Sequence, residues 1–194
     1  KVRQYVPYLT TQYHELVRWV EKQTGRRYDD GKLLEAVASK RQTQALWGEV
    51  CKMQQSIPAP LHFRTQFVLM MPKLLWGYRK EAVDFYRQLK DEVQQRVADG
   101  VAALATEKAR FWFDFVPSYI ALESLKYLDD FGAVIVGSLY SFSFGGGRRD
   151  DGTWGVVAPF ESLGHPPQDR EEAFQEIAYW DLKRDCWLKM FSCE

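Results

Sequence analysis

The chain has 194 residues, with 26 basic and 26 acidic side chains and a formal net charge of zero. That balance argues against a nucleic-acid protein, which carries a basic excess or stripe, and against a polybasic membrane anchor. The longest apolar run, Phe67 to Trp76, is broken by Pro72 and Lys73 and falls short of the roughly 20 residues that span a bilayer.

The first residues, Lys1-Val2-Arg3-Gln4-Tyr5, lack the apolar stretch of a signal peptide. There is no initiator Met, and Phe191-Ser192-Cys193-Glu194 stop within a helical pattern, so the chain reads as part of a longer one. Three cysteines, Cys51, Cys186 and Cys193, form no Cys-x-x-Cys pair. An odd number without a secretory signal favours reduced thiols and a cytoplasmic setting.

In chain order, Tyr13, Leu16, Val17 and Val20 share one helical face, and Gly25 is the expected stop. Asp29 or Asp30 caps a second helix that runs through Leu33, Val37, Ala45, Leu46, Val50 and Met53 until Pro58-Ala59-Pro60. A third spans about Thr65 to Trp76, kinked or broken at Pro72. A fourth runs from Glu81 to about Leu104, with Val83, Tyr86, Leu89, Val93 and Val97 inward and Gly100 weakening its end.

The period then changes. Phe111, Phe113 and Phe115 alternate with Trp112 and Asp114, which marks a strand over Arg110 to Val116. Ser118 is placed to cap a helix through Ile120, Leu122, Leu125 and Leu128, ending at Gly132. Ala133-Val134-Ile135-Val136 is the short apolar run of a strand buried on both faces. Strand, helix, strand in this spacing predicts a parallel βαβ unit. Ser141 to Gly164 reads as irregular, and Asp169 opens a last helix with Phe174, Ile177, Ala178, Leu182 and Cys186 inward. The expected fold class is α/β: a helical segment over residues 1–105, then an α/β segment over 106–194.

Candidate sites follow from this frame. Ligands of open parallel sheets bind beyond the carboxyl ends of the strands. Pro117-Ser118-Tyr119 follows the first strand, and Ser138-Leu139-Tyr140-Ser141-Phe142-Ser143-Phe144 follows the second. The two segments should be neighbours, and Tyr119, Ser138, Tyr140, Phe142 and Phe144 are the candidate substrate-binding residues. Gly145-Gly146-Gly147-Arg148-Arg149 could cradle a phosphate, but it matches no phosphate-binding fingerprint and reads more simply as a flexible surface loop. His14, His62 and His165 lack metal-ligand spacing, and no serine or cysteine sits in a nucleophile elbow. Asp129-Asp130 reads as a solvated helix end and Asp150-Asp151 as a turn. No catalytic residue and no metal ligand can be assigned.

Several strings add to this reading. The helix junction from Val20 to Val37, with Glu21, Thr24-Gly25, Asp29 and Leu33, resembles the benzoyl-CoA reductase / 2-hydroxyacyl-CoA dehydratase family. So do Ser56-Ile57-Pro58-Ala59-Pro60, the strand pair Arg110 to Asp114 and Phe131 to Gly137, and the helix start Asp169-Arg170-Glu171-Glu172-Ala173-Phe174. The resemblance implies a Rossmann-like unit inside a larger, multidomain, cluster-bearing subunit. It further implies a second cluster-bearing subunit, an ATP-hydrolysing electron activator and an acyl-CoA substrate. A 4Fe-4S cluster belongs to the parent subunit, with its ligand cysteines expected outside this segment. The aromatic richness and the stretch Gly145 to Pro167 resemble the benzoyl-CoA reductase branch, with a 2-hydroxyacyl-CoA dehydratase subunit as the alternative. A non-catalytic binding or scaffold module is the other possibility.

Overall fold

The computed structural model describes residues 2–113, 119–148 and 153–183. Helix α1 spans Val2–Thr24 and ends at Gly25, whose φ of +65° suits a residue without a Cβ. Helix α2, Asp30–Met53, is capped by Asp29, whose carboxylate accepts from the Lys32 amide at 3.0 Å. Its buried positions include Leu33, Arg41, Gln44, Trp47, Val50 and Cys51 and are not confined to one narrow stripe. Such a helix lies inside a fold rather than on its surface.

The expected third helix is two short ones, α3 at Phe63–Leu69 and α4 at Met71–Trp76, with Pro72 in the first turn of α4. Proline there sacrifices only an amide that has no helical partner. Helix α5 covers Lys80–Ala98, not residues up to Leu104. Gly100 adopts φ +67° and stops it, and the Val101 amide returns to the Arg96 carbonyl at 2.8 Å.

Strand β1, Ala109–Phe113, pairs in parallel with β2, Ala133–Ser138, as the βαβ pattern predicts. Residues 114–116 of the expected strand, and the Ser118 cap, lie outside the described residues. The connection is a 3-10 helix, Tyr119–Leu125, followed by the short α6, Lys126–Asp129, instead of one α-helix. Leu122, Leu125 and Leu128 all pack against the core, and their spacing of three is the one a 3-10 turn superimposes.

The stretch expected to be irregular carries structure of its own. Helix α7 covers Leu139–Ser143, and strands β3 (Gly146–Arg148) and β4 (Trp154–Val156) form an antiparallel pair. Asp150-Asp151 lie outside the described residues, as do Cys186 and Cys193. Helix α8, Arg170–Lys183, packs along α1 and α2.

One core joins both compositional segments. Trp47, Phe67, Met70 and Tyr86 from the helices meet Ile135, Tyr140, Phe142 and Phe144 from the strand and α7. Full burial of each large apolar side chain contributes about 2–3 kcal/mol. A second cluster joins Val17, Leu33, Val37, Ala173 and Phe174 where α1, α2 and α8 meet.

Candidate functional site at the carboxyl ends of the parallel strands

The register pairs Phe113 with Ser138, so the two strands deliver their carboxyl ends side by side. The two strand ends are therefore neighbours, while Pro117 and Ser118 of the first exit lie outside the described residues. Tyr119 begins the 3-10 helix beyond β1.

Beyond β2 the chain turns at once into α7. The Ser138 hydroxyl caps that helix, accepting from the Ser141 amide at 3.0 Å, and the two hydroxyls lie 2.9 Å apart. Ser138 and Ser141 are fully buried, so these bonds satisfy groups that water cannot reach. The Trp47 indole donates to the Ser141 carbonyl at 2.9 Å and fixes α7 against α2.

The aromatic candidates form a ladder. Tyr140 packs against Phe67 at 5.8 Å and edge-on to Phe144 at 5.3 Å. Phe142 lies between Trp112 at 4.9 Å and Trp154 at 4.8 Å. Gly137 makes room for this, since a Cβ there would stand 2.7 Å from the rings of both Trp112 and Phe142. Tyr140 and Phe142 point into the core. Phe144, though itself buried, forms part of the wall of an open cleft.

That cleft, of about 300 Å³, lies between α2, α4 and α8. Lys40 and Arg41 come from α2, Lys73 and nearby Tyr78 from α4 and its end, and Asp181 from α8. The Lys73 ammonium stands over the Phe144 ring at 4.8 Å from its centre, an attraction between a cation and the ring's negative face. Lys40 donates to the Lys73 carbonyl at 3.5 Å. Arg41 is held by Glu176 at 3.3 Å and lies over the Trp180 ring at 4.9 Å. Sequence reading missed this grouping. Its trace was Lys73, a lone cation interrupting the longest apolar run.

Over its described part the glycine run is not a loose loop, since Gly146–Arg148 form β3. Gly145 lies directly against Gly48 of α2: a Cβ on Gly145 would stand 2.6 Å from the Gly48 Cα. Gly146 sits beneath Trp154. These two glycines allow close packing of backbone and ring.

The remaining polar candidates have structural partners. His14 meets Glu171 at 2.7 Å across the α1–α8 contact. His62 lies 3.4 Å from Asp129, which also pairs with Arg64 at 3.4 Å. Asp129 is thus part of an ion cluster and not simply a solvated helix end. His165 lies at the surface near Glu172.

An iron–sulfur cluster needs several thiolates. Cys51 is the only cysteine among the described residues, and it is fully buried. Burial pushes its thiol well above the ordinary range, although Lys73 and the Gln66 side chain oppose this. Among the described residues no group of three or more His, Cys, Asp or Glu could hold a metal ion. These residues do not fit a cluster. Among them, too, no helix is long and apolar enough to cross a membrane.

Residues 2–165 match the family described as 2-hydroxyglutaryl-CoA dehydratase, D-component. The chain belongs to this dehydratase family. The D-component match takes in most of the stretch Gly145 to Pro167. Similar proteins include the alpha subunit of (R)-2-hydroxyglutaryl-CoA dehydratase from Acidaminococcus fermentans, 30% identical over 142 residues, which are 72% of this chain and 30% of that protein. The (R)-phenyllactyl-CoA dehydratase alpha subunit of Clostridium sporogenes is 22% identical over 72% of this chain and 35% of its own length. The (R)-2-hydroxyisocaproyl-CoA dehydratase alpha subunit of Clostridioides difficile is 24% identical over 70% of this chain and 34% of its own. This D-component chain spans about a third of the length of the relatives it matches.

Proposed function

We propose that the chain is a segment of the alpha-type subunit of a 2-hydroxyacyl-CoA dehydratase, an enzyme that removes water from a 2-hydroxyacyl thioester. The observation that carries this reading is the family match over residues 2–165, together with three relatives that are all dehydratase alpha subunits. It displaces the benzoyl-CoA reductase reading, whose main support was aromatic content. Trp47, Phe67, Tyr86 and Phe142, among the largest of those aromatics, are fully buried structural residues.

The parent subunit is proposed to work with a second subunit and an ATP-hydrolysing activator in the cytoplasm. Its 4Fe-4S cluster is assigned to cysteines other than Cys51. Tyr119, Ser138, Tyr140, Phe142 and Phe144 remain the proposed substrate wall, with different tasks. Ser138, Tyr140 and Phe142 hold α7 in place from behind. Phe144 borders the cleft lined by Lys40, Arg41, Lys73 and Asp181, where Arg41 and Lys73 are buried and Lys40 is the partly exposed cation placed to meet an anionic group of the thioester.

The test uses the full-length parent with its companion subunit and activator, under anoxic conditions. The expected product from a 2-hydroxyacyl-CoA is the 2-enoyl-CoA. Reduction of an aromatic acyl-CoA without dehydration overturns the proposal. With dehydration established, Lys40→Met should raise KM for the thioester several-fold with little change in kcat. An unchanged KM removes the cleft from the substrate site.

A further inference from the structure

We infer that the amide nitrogen of Gln44 donates a hydrogen bond to a carbonyl oxygen of the ligand in the cleft between α2, α4 and α8. The ligand is taken to be an acyl thioester of coenzyme A, so this role rests on the dehydratase reading and deepens it.

Gln44 lines that cleft although it is only 4% exposed. Its oxygen is committed, because Arg41 donates to Oε1 at 2.9 Å. A guanidinium carries donors and no acceptor, so the amide has one orientation: oxygen toward Arg41, nitrogen away from it. Among the described residues the Gln44 Nε2 has no hydrogen-bond partner, and it keeps an opening to solvent. The neighbouring Thr43 hydroxyl, by contrast, is sealed off. A donor that is nine-tenths buried and open only toward a cleft is one that a ligand completes.

The support behind Gln44 is stiff. The Arg41 guanidinium lies 3.3 Å from the Glu176 carboxylate and 4.9 Å from the centre of the Trp180 ring, and all three side chains are buried. Side chains of α2 and α8 thus fix the direction of the Gln44 amide before any ligand arrives, which is what a binding group needs for selectivity.

The chemistry selects the partner. With Oε1 taken, Gln44 offers the cleft donors only. Lys40 precedes it by four residues and lies on the same face of α2, where it meets an anionic group. A neutral donor beside that cation matches a neutral acceptor. A carbonyl oxygen accepts and brings no proton of its own, whereas a hydroxyl would. Lys40 and Gln44 stand about 6 Å apart along the helix axis, which suits a molecule whose anionic group and carbonyl are close together. A coenzyme A thioester has carbonyl oxygens of two kinds, that of the thioester and those of the amides in its arm.

The test measures Kd on the full-length parent with its companion subunit, without the activator so that no turnover occurs, for the unsubstituted protein and for Gln44→Met. The probes are the 3′-phosphorylated ADP that forms the nucleotide half of coenzyme A and has no carbonyl, coenzyme A, which adds the amide carbonyls, and a 2-hydroxyacyl-CoA, which adds the thioester carbonyl. The expected result is 2-hydroxyacyl-CoA weakened about 3- to 10-fold, as loss of one neutral hydrogen bond entails, with the nucleotide unchanged. Coenzyme A weakened equally assigns the bond to an amide carbonyl; coenzyme A unaffected assigns it to the thioester. An unchanged Kd for 2-hydroxyacyl-CoA, or a loss shared by the nucleotide, overturns the inference. Should Gln44→Met not fold, Gln44→Glu keeps the acceptor for Arg41 and replaces only the donor. Its charge weakens every anionic probe, so 2-hydroxyacyl-CoA must then lose several-fold more than the nucleotide, and equal losses overturn the inference. Either failure leaves the dehydratase reading standing, since that is decided by the product formed.

Discussion

The Trp47 indole and the Ser141 carbonyl, 2.9 Å apart, join the last third of α2 to the middle of α7 across 94 residues of sequence. Both groups are buried. Trp47→Phe keeps most of the apolar contact but leaves that carbonyl only the weak Cys51 thiol donor at 3.8 Å. The expected loss is about 1–3 kcal/mol, read as a lower urea midpoint with an unchanged slope.

The close approach of Gly48 and Gly145 makes the opposite kind of prediction. A methyl group at either position meets backbone that cannot turn aside. Gly145→Ala should destabilise by about 1–3 kcal/mol, whereas Gly25→Ala meets nothing within 4 Å and is strained only by its φ of +65°. Denaturation of both variants checks whether packing, beyond backbone conformation, requires glycine at the first.

Arg41 and Glu176 test the buried polar contact between α2 and α8. Their side chains are 8% and 0% exposed, and Ser162 donates to the carboxylate. Arg41→Met alone should cost about 3–5 kcal/mol, because it leaves a buried charge unpaired, while Arg41→Met with Glu176→Leu recovers much of that. Burial raises the Glu176 pKa above its ordinary 4.5 despite Ser162 and Arg41. The folded protein therefore holds this proton more tightly than the unfolded chain does. The linked stability is fully present below the unfolded pKa and falls as pH rises through the raised value. The difference in unfolding free energy between wild type and Glu176→Gln, followed from acid to neutral pH, should show that decline.

Cys51 should behave as a core residue. At mildly alkaline pH a maleimide should leave it unmodified in the native protein and label it after unfolding, since reactivity follows thiolate and access. Cys51→Ala in the parent subunit should retain its full iron content. Loss of iron without loss of fold would make Cys51 a ligand.

Much of the fold was legible because local chemistry and tertiary structure agree. Asp29 caps where a cap was expected, Gly25 and Gly132 terminate with positive φ, and β1 and β2 pair in parallel. The short β3–β4 pair was not legible, because three-residue strands built on Gly146-Gly147 and Trp154-Gly155 carry no alternating pattern. The cationic cleft was hidden for a different reason. Lys40 and Lys73 are 33 residues apart, and nothing local announces that α4 folds back on α2. That Tyr140 and Phe142 lie beyond a strand end was readable from the apolar run before them, but the direction in which the rings point was not.

Among the described residues β1 has β2 as its one strand neighbour, and Phe111 and Trp112 stand about half exposed on its opposite faces. A parallel strand with one open edge and two half-covered faces is adhesive toward any other extended backbone. Handled as an excised fragment, this polypeptide should gather into aggregates seeded at that edge, and a lysine in place of Trp112 is the first remedy to try. Studies that require a well-behaved sample are better begun from the intact subunit.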